Sequence, residues 1–218
     1  MKSRFRLTHW VACYWLFLGC LFGQGLDVMF VLETSPGTEQ AIGLIRTRDL
    51  KEGDRAGVIG FTNAARVLQP LTQDREKIAT ALQRAGTRIT IGLGGGPGVA
   101  MNSTADVSGA IQQACRELEQ DSAPDSKHAV LVFFTSEDPG LSARLGSLKE
   151  ALQAARGRLF AVVIQRVAGP EFPRAPRAQT YPFPAMTAKL LSEVARESGG
   201  RIYQRAWDLK EILAEARK

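Results

Sequence analysis

Histidine and cysteine are the scarcest chemistry-bearing residues in this chain. Its 218 residues include two histidines, His9 and His128, and three cysteines, Cys13, Cys20 and Cys115. That leaves almost no material for a histidine-based triad or a two-histidine metal site. A nucleophile elbow, a metalloprotease helix motif and a Walker sequence are all missing. The run GLGGGPG at 92–98 lacks the Gly-Lys-Ser/Thr ending of a phosphate cradle, and no long apolar strand leads into it as a dinucleotide fingerprint requires. Lysines and arginines are scattered among acids instead of forming a basic stripe interleaved with aromatics, so nucleic acid is not indicated as a partner. The apolar stretch from Trp10 to Phe22 is shorter than the roughly 20 residues a spanning helix needs.

That stretch has another reading. Lys2, Arg4 and Arg6 precede it and Gly23, Gln24 and Gly25 follow it, the order of a secretory signal. The expectation is a signal peptide at 1–25 and one domain at 26–218, exported to the periplasm or secreted. Retention as an uncleaved anchor is the alternative, and only then would the protein touch a membrane; Cys20 after Leu18-Gly19 leaves lipidation open as well. Without the segment, which holds Lys2, Arg4 and Arg6, the net charge of +6 falls to about +3. Cys115 is then the sole cysteine, unable to form an intramolecular disulfide and placed as a small buried hydrophobe on an amphipathic helix.

What is abundant is apolar sequence of alternating period. With 44% hydrophobic and 23% charged residues, the chain can bury a core without disulfides or metal. LDVMFVLETSPGT at 26–38 reads as a strand buried on both faces that ends in hydroxyl and carboxylate side chains. Strands are also expected at Asp54–Phe61, Ala65–Leu71, His128–Thr135, Leu159–Gln165 and Arg201–Gln204. Helices are expected at Asp74–Arg84, Thr104–Glu119, Leu141–Arg156, Met186–Ser198 and Trp207–Arg217. This cadence predicts an α/β fold, a doubly wound and mostly parallel sheet with helices on both faces. The short connection at Thr62-Asn63 requires Ala65–Leu71 to be an antiparallel edge strand, because a parallel crossover needs a dozen or more residues. The Pro-rich stretch from Ala168 to Pro184 reads as a surface excursion or a partner-binding edge.

The landmarks DVMFVLETSPGT, EGDRAGVIGF, LQPLTQDREKIATAL, HAVLVFFTSED and LLSEVARESGGRIYQ, in this order, resemble the von Willebrand factor A domain, in particular stand-alone exported bacterial proteins related to it. The resemblance implies a protein-protein adhesion role, often through magnesium at the sheet's carboxyl edge. The family pattern of an aspartate and two serines at alternate positions falls here on Glu33, Ser35 and Gly37, with Thr38 a partial substitute for the last. The family threonine falls at Ala105, or at Thr104 with a one-residue shift, and the family aspartate falls at Ser136. The resemblance therefore implies a metal site at Glu33, Ser35, Thr38, Thr104 and Ser136 that is weak or absent, with no cofactor or weakly bound magnesium. A separate reading of the hydroxyls has Thr34, Ser35 and Thr38 turning the chain and capping the next helix. An unidentified protein partner would meet the loops at Ser35, Asn102 and Ser136. Two alternatives stand beside this non-catalytic adhesion reading. One is a structural subunit docking through its helices or the 168–184 loop. The other is a hydrolase using Glu33, Asp106, Glu137 and Asp138.

Overall fold

A computed structural model describes residues 25–35, 38–91, 104–123, 125–164, 184–204 and 207–218. The expected signal segment, Asn102, the 92–98 glycine run and nearly all of the 168–184 stretch lie outside them.

Six strands form one sheet: β1 (Leu26–Glu33), β2 (Arg55–Phe61), β3 (Ala65–Thr72), β4 (Lys127–Phe134), β5 (Gly157–Val163) and β6 (Arg201–Tyr203). Their spatial order is β3-β2-β1-β4-β5-β6. All neighbouring pairs are parallel except β2 with β3, so the hairpin at Thr62-Asn63 places β3 at an edge as its length demands. Every residue of β1 is buried, as the apolar run Val28–Leu32 requires of a central strand covered on both faces. Val130 and Val132 of β4 are likewise fully buried.

The helices are α1 (Glu39–Leu44), α2 (Arg75–Ile91), α3 (Val107–Asp121), α4 (Leu141–Ala154), α5 (Ala185–Glu197) and α6 (Leu209–Ala216), with a 3₁₀ turn at Thr47–Asp49. Helices α3, α4 and α5 pack on the face carrying Met29, Val31, Val130 and Val132. Helices α1, α2 and α6 cover the opposite face, carrying Val28, Phe30, Leu131 and Phe133. Alternate residues of β1 and β4 thus feed two separate cores, the period-two consequence of the pleat. None of these helices is long and apolar enough to cross a membrane.

Some elements differ from the sequence expectation. Helix α3 begins at Val107 and not at Thr104, because Asp106 is its N-cap and accepts a hydrogen bond from the Gly109 amide at 2.8 Å. Helix α2 continues to Ile91, beyond Arg84. The six-residue α1 and the 3₁₀ turn were not expected, since neither is long enough to display an apolar period. The Ser-Gly-Gly after α5 terminates that helix as its sequence suggests. Gly199 has φ +77, and the Gly200 and Gly199 amides return to the Ala195 and Arg196 carbonyls at 2.7 and 3.2 Å, a Schellman closure that favours glycine.

Candidate functional site at the carboxyl edge

The chain proceeds from β1 outward to β2 and β3, then returns to the other side of β1 with β4. The carboxyl ends of β1 and β4 therefore form the topological switch point, where adjacent connections diverge and leave a crevice. Glu33 closes β1. Thr135 and Ser136 follow β4 directly.

These residues form one cluster around the Glu33 carboxylate, whose residue is 1% exposed. Its Oε2 accepts from the Thr135 and Ser136 amides at 2.6 and 3.1 Å. Its Oε1 accepts from the Ser35, Thr135 and Ser136 hydroxyls at 2.6, 2.9 and 2.5 Å. Ser35 Oγ also lies 3.0 Å from Thr135 Oγ1. A buried carboxylate is tolerable only with such compensation, and five donors aimed at two oxygens supply it. The extra methylene of glutamate lets a side chain rooted on β1 accept from the backbone beyond β4. The cluster thus ties the two central strands together past the last rung of their ladder.

The structure brings together some of the site residues expected from the sequence and separates others. Glu33, Ser35 and Ser136 converge, joined by Thr135, which the sequence reading did not single out; its place directly after the apolar run HAVLVFF was the available signal. Thr38 is buried, but its hydroxyl donates to the Ser35 carbonyl at 2.7 Å. It closes a turn there and makes no side-chain cap to α1. Thr104 is exposed and joins Glu137 through a main-chain bridge. Ser136 is 3% exposed, so its side chain shapes the edge from beneath.

The other carboxylates named in the sequence reading hold helix starts. Glu137 accepts from the Met186 and Thr187 amides at 3.1 and 2.9 Å and from the Thr187 hydroxyl at 2.6 Å, at the start of α5. Asp138 Oδ2 accepts from the Ser108 amide and hydroxyl, both at 2.8 Å, at the start of α3. Anionic groups at helix N-termini satisfy unpaired amides and favour the helix dipole. His128 sits at the other end of β4, where its Nδ1 is 2.5 Å from the Ala155 carbonyl oxygen, and it takes no part in this edge.

A six-oxygen magnesium shell at roughly 2.0–2.1 Å needs carboxylate and hydroxyl lone pairs turned toward a common point. The amide and hydroxyl donors around Glu33 occupy the lone pairs such an ion would use, and the Thr38 hydroxyl is engaged by the Ser35 carbonyl. Among the described residues, no group of three or more His, Cys, Asp or Glu is placed to hold a metal. The donor set fits a self-contained hydrogen-bonded cluster better than a magnesium ligand sphere.

A family model described as the von Willebrand factor type A domain matches residues 37–139, which run from the end of the Glu33 loop through the β4–α4 connection. Over that stretch the chain is similar to the von Willebrand factor type A domain. No curated protein matches it. Among solved structures it resembles BatB from Bacteroides thetaiotaomicron, with 19% identity and a TM-score of 0.60 over 88% of this chain and 96% of that one. An aerotolerance-related membrane protein from Bacteroides fragilis gives 19% identity and a TM-score of 0.58 over 88% and 98%. The VWA domain of SpRpn10 gives 12% and 0.53 over 86% and 93%. At these identities the likeness concerns the fold, and it extends across the described domain.

Proposed function

We propose that this is an exported, non-catalytic VWA domain that binds a protein partner through its carboxyl-edge loops without a bridging divalent cation. One observation carries the reading: at the switch point, where the fold offers a ligand crevice, the Glu33 carboxylate is already engaged by Ser35, Thr135 and Ser136. A partner would then be recognised by shape, hydrogen bonds and exposed apolar groups. Met186 at the start of α5 is 62% exposed on this edge and supplies such a contact. The non-catalytic part is supported by the engagement of Glu33, Glu137 and Asp138 in structural hydrogen bonds. Export is supported by the charged and apolar N-terminal segment and by the structural likeness to an aerotolerance-related membrane protein from Bacteroides fragilis.

Site-specific photo-crosslinking in the native host tests the reading. A crosslinker at Met186 should trap one protein, with equal yield in EDTA and in magnesium. One at exposed Arg156, at the amino edge, should not. Crosslinks from Arg156 alone would favour a subunit docking elsewhere, and a yield abolished by EDTA would restore a metal-bridged contact.

A further inference from the structure

Beside the Glu33 cluster lies a second one whose centre is a guanidinium. Arg144 lies in the first turn of α4, where the helix dipole disfavours a cation. It is held there by two carboxylates from separate connections. Nη1 is 2.7 Å from Asp106 Oδ1, ahead of α3, and Nη2 is 3.1 Å from Asp138 Oδ1, after β4. The side chains of Arg144, Asp106 and Asp138 are 38%, 29% and 1% exposed.

Each carboxylate has further structural work. Asp106 caps α3 through the Gly109 amide. Asp138 accepts from Ser108 with one oxygen and from the Gly140 amide, at 2.9 Å, with the other. The main chain locks the same pieces together: the Asp106 amide donates to the Thr62 carbonyl at 2.8 Å, and the Ala105 amide donates to the Glu137 carbonyl at 2.9 Å. Three connections, after β2, before α3 and after β4, thus meet around one positive group. The planar fork of arginine can engage two carboxylates at once, which a lysine ammonium does less well.

We propose that the Arg144 guanidinium is a tethered stand-in for a bridging cation: a positioning residue that sets the loops ahead of α3 and after β4 relative to one another, so that the carboxyl edge keeps its shape without a divalent ion. The inference rests on the interaction reading only for what the edge is used for. Its test needs no partner, so failure here leaves that reading standing and a failed partner search leaves this inference standing.

The test is amide hydrogen exchange on residues 26–218 of the wild type and of Arg144→Met, which keeps the apolar stem and removes the charge. Exchange at Ser108, Gly109 and Gly140 should accelerate about tenfold or more, through local opening, while Val130 and Val132 change much less. Because the substitution exposes two carboxylates to a common gap, about 10 mM magnesium or calcium should restore protection at these three amides in the variant and leave the wild type unchanged. Acceleration no greater there than in β4, absence of restoration by either ion, or a wild-type response to the ions would each overturn the proposal. Should the methionine variant not fold, Arg144→Lys serves. Faster exchange confined to the same three amides would support the fork, and wild-type rates would overturn it.

Discussion

Glu33 shows how one methylene redirects a site. An aspartate at this position would fall short of the Thr135 and Ser136 amides that glutamate reaches at 2.6 and 3.1 Å. Glu33→Gln keeps the shape but turns an amide donor toward a cluster whose other members already donate. Leaving buried donors without an acceptor costs about 2–3 kcal/mol, or a melting temperature lower by roughly 4–12 °C at this size. Thermal unfolding of the variant checks this, and an unchanged midpoint would mean that the cluster contributes nothing. Cys115 is a contrasting case, buried for packing alone. Burial pushes its thiol up to about 12, with Glu119 adding to the shift and Arg116 opposing it, so the nucleophilic thiolate is scarce at neutral pH. Native protein should resist iodoacetamide at pH 8, whereas denatured protein should be alkylated at Cys115, as read by peptide mass mapping.

At the scale of elements, the amino edge of β1 mirrors its carboxyl edge. Asp27 receives the Arg55 guanidinium of β2 at 2.9 and 2.7 Å, the Ser126 hydroxyl at 2.5 Å and the Ala123 amide at 3.2 Å. Burial, the largest single influence, raises its pKa, but the Arg55 and Ser126 hydrogen bonds, the Arg55 charge and the Ala123 amide together hold it below the ordinary carboxylate value. A carboxyl whose folded pKa is depressed contributes stability that is complete above about pH 4 and is lost as pH falls through the folded value. Asp27→Asn should therefore lower stability at pH 7 and flatten the acid limb below about pH 4, in urea titrations run across that range. The strands and long helices were legible in the sequence because unbroken apolar runs such as VMFVL and helical spacing such as Val107, Ile111, Cys115 and Leu118 each allow one placement. Helix α1 was not, being too short for a period. Of the partners of Glu33, Ser35 and Ser136 were among the expected site residues but Thr135 was not, since it lies 102 positions away at the end of the neighbouring strand and only the switch-point geometry brings its amide and hydroxyl to the carboxylate.

For the whole molecule, the two cores meet across β1 and β4, and both ends of this central pair are sealed from within. Arg217 pairs with Asp54 and Lys127 Nζ reaches the Arg217 carbonyl at the amino edge, while Glu33, Asp138 and Arg144 close the carboxyl edge. A fold so sealed should gain little stability from a metal ion. An ion binding only the native state adds about 4.1 kcal/mol at a thousand times its dissociation constant and about 0.4 kcal/mol at a concentration equal to it. With about 1 kcal/mol moving the midpoint 2–4 °C at this size, 10 mM magnesium should raise the melting temperature of residues 26–218 by no more than about 2 °C. A site with a dissociation constant of about 10 micromolar would raise it by roughly 8–16 °C. The combined substitution Glu33→Asp, Gly37→Ser, Ala105→Thr and Ser136→Asp removes the glutamate that ties β1 to β4 and supplies family-type oxygens in its place. It should therefore be less stable than the wild type in EDTA and regain stability as magnesium is added. Thermal scans of both forms with and without the ion separate the possibilities. A rise of the larger size in the wild type would return magnesium to the centre of its function, and a quadruple variant indifferent to magnesium would mean that these loops do not converge on a common ion position.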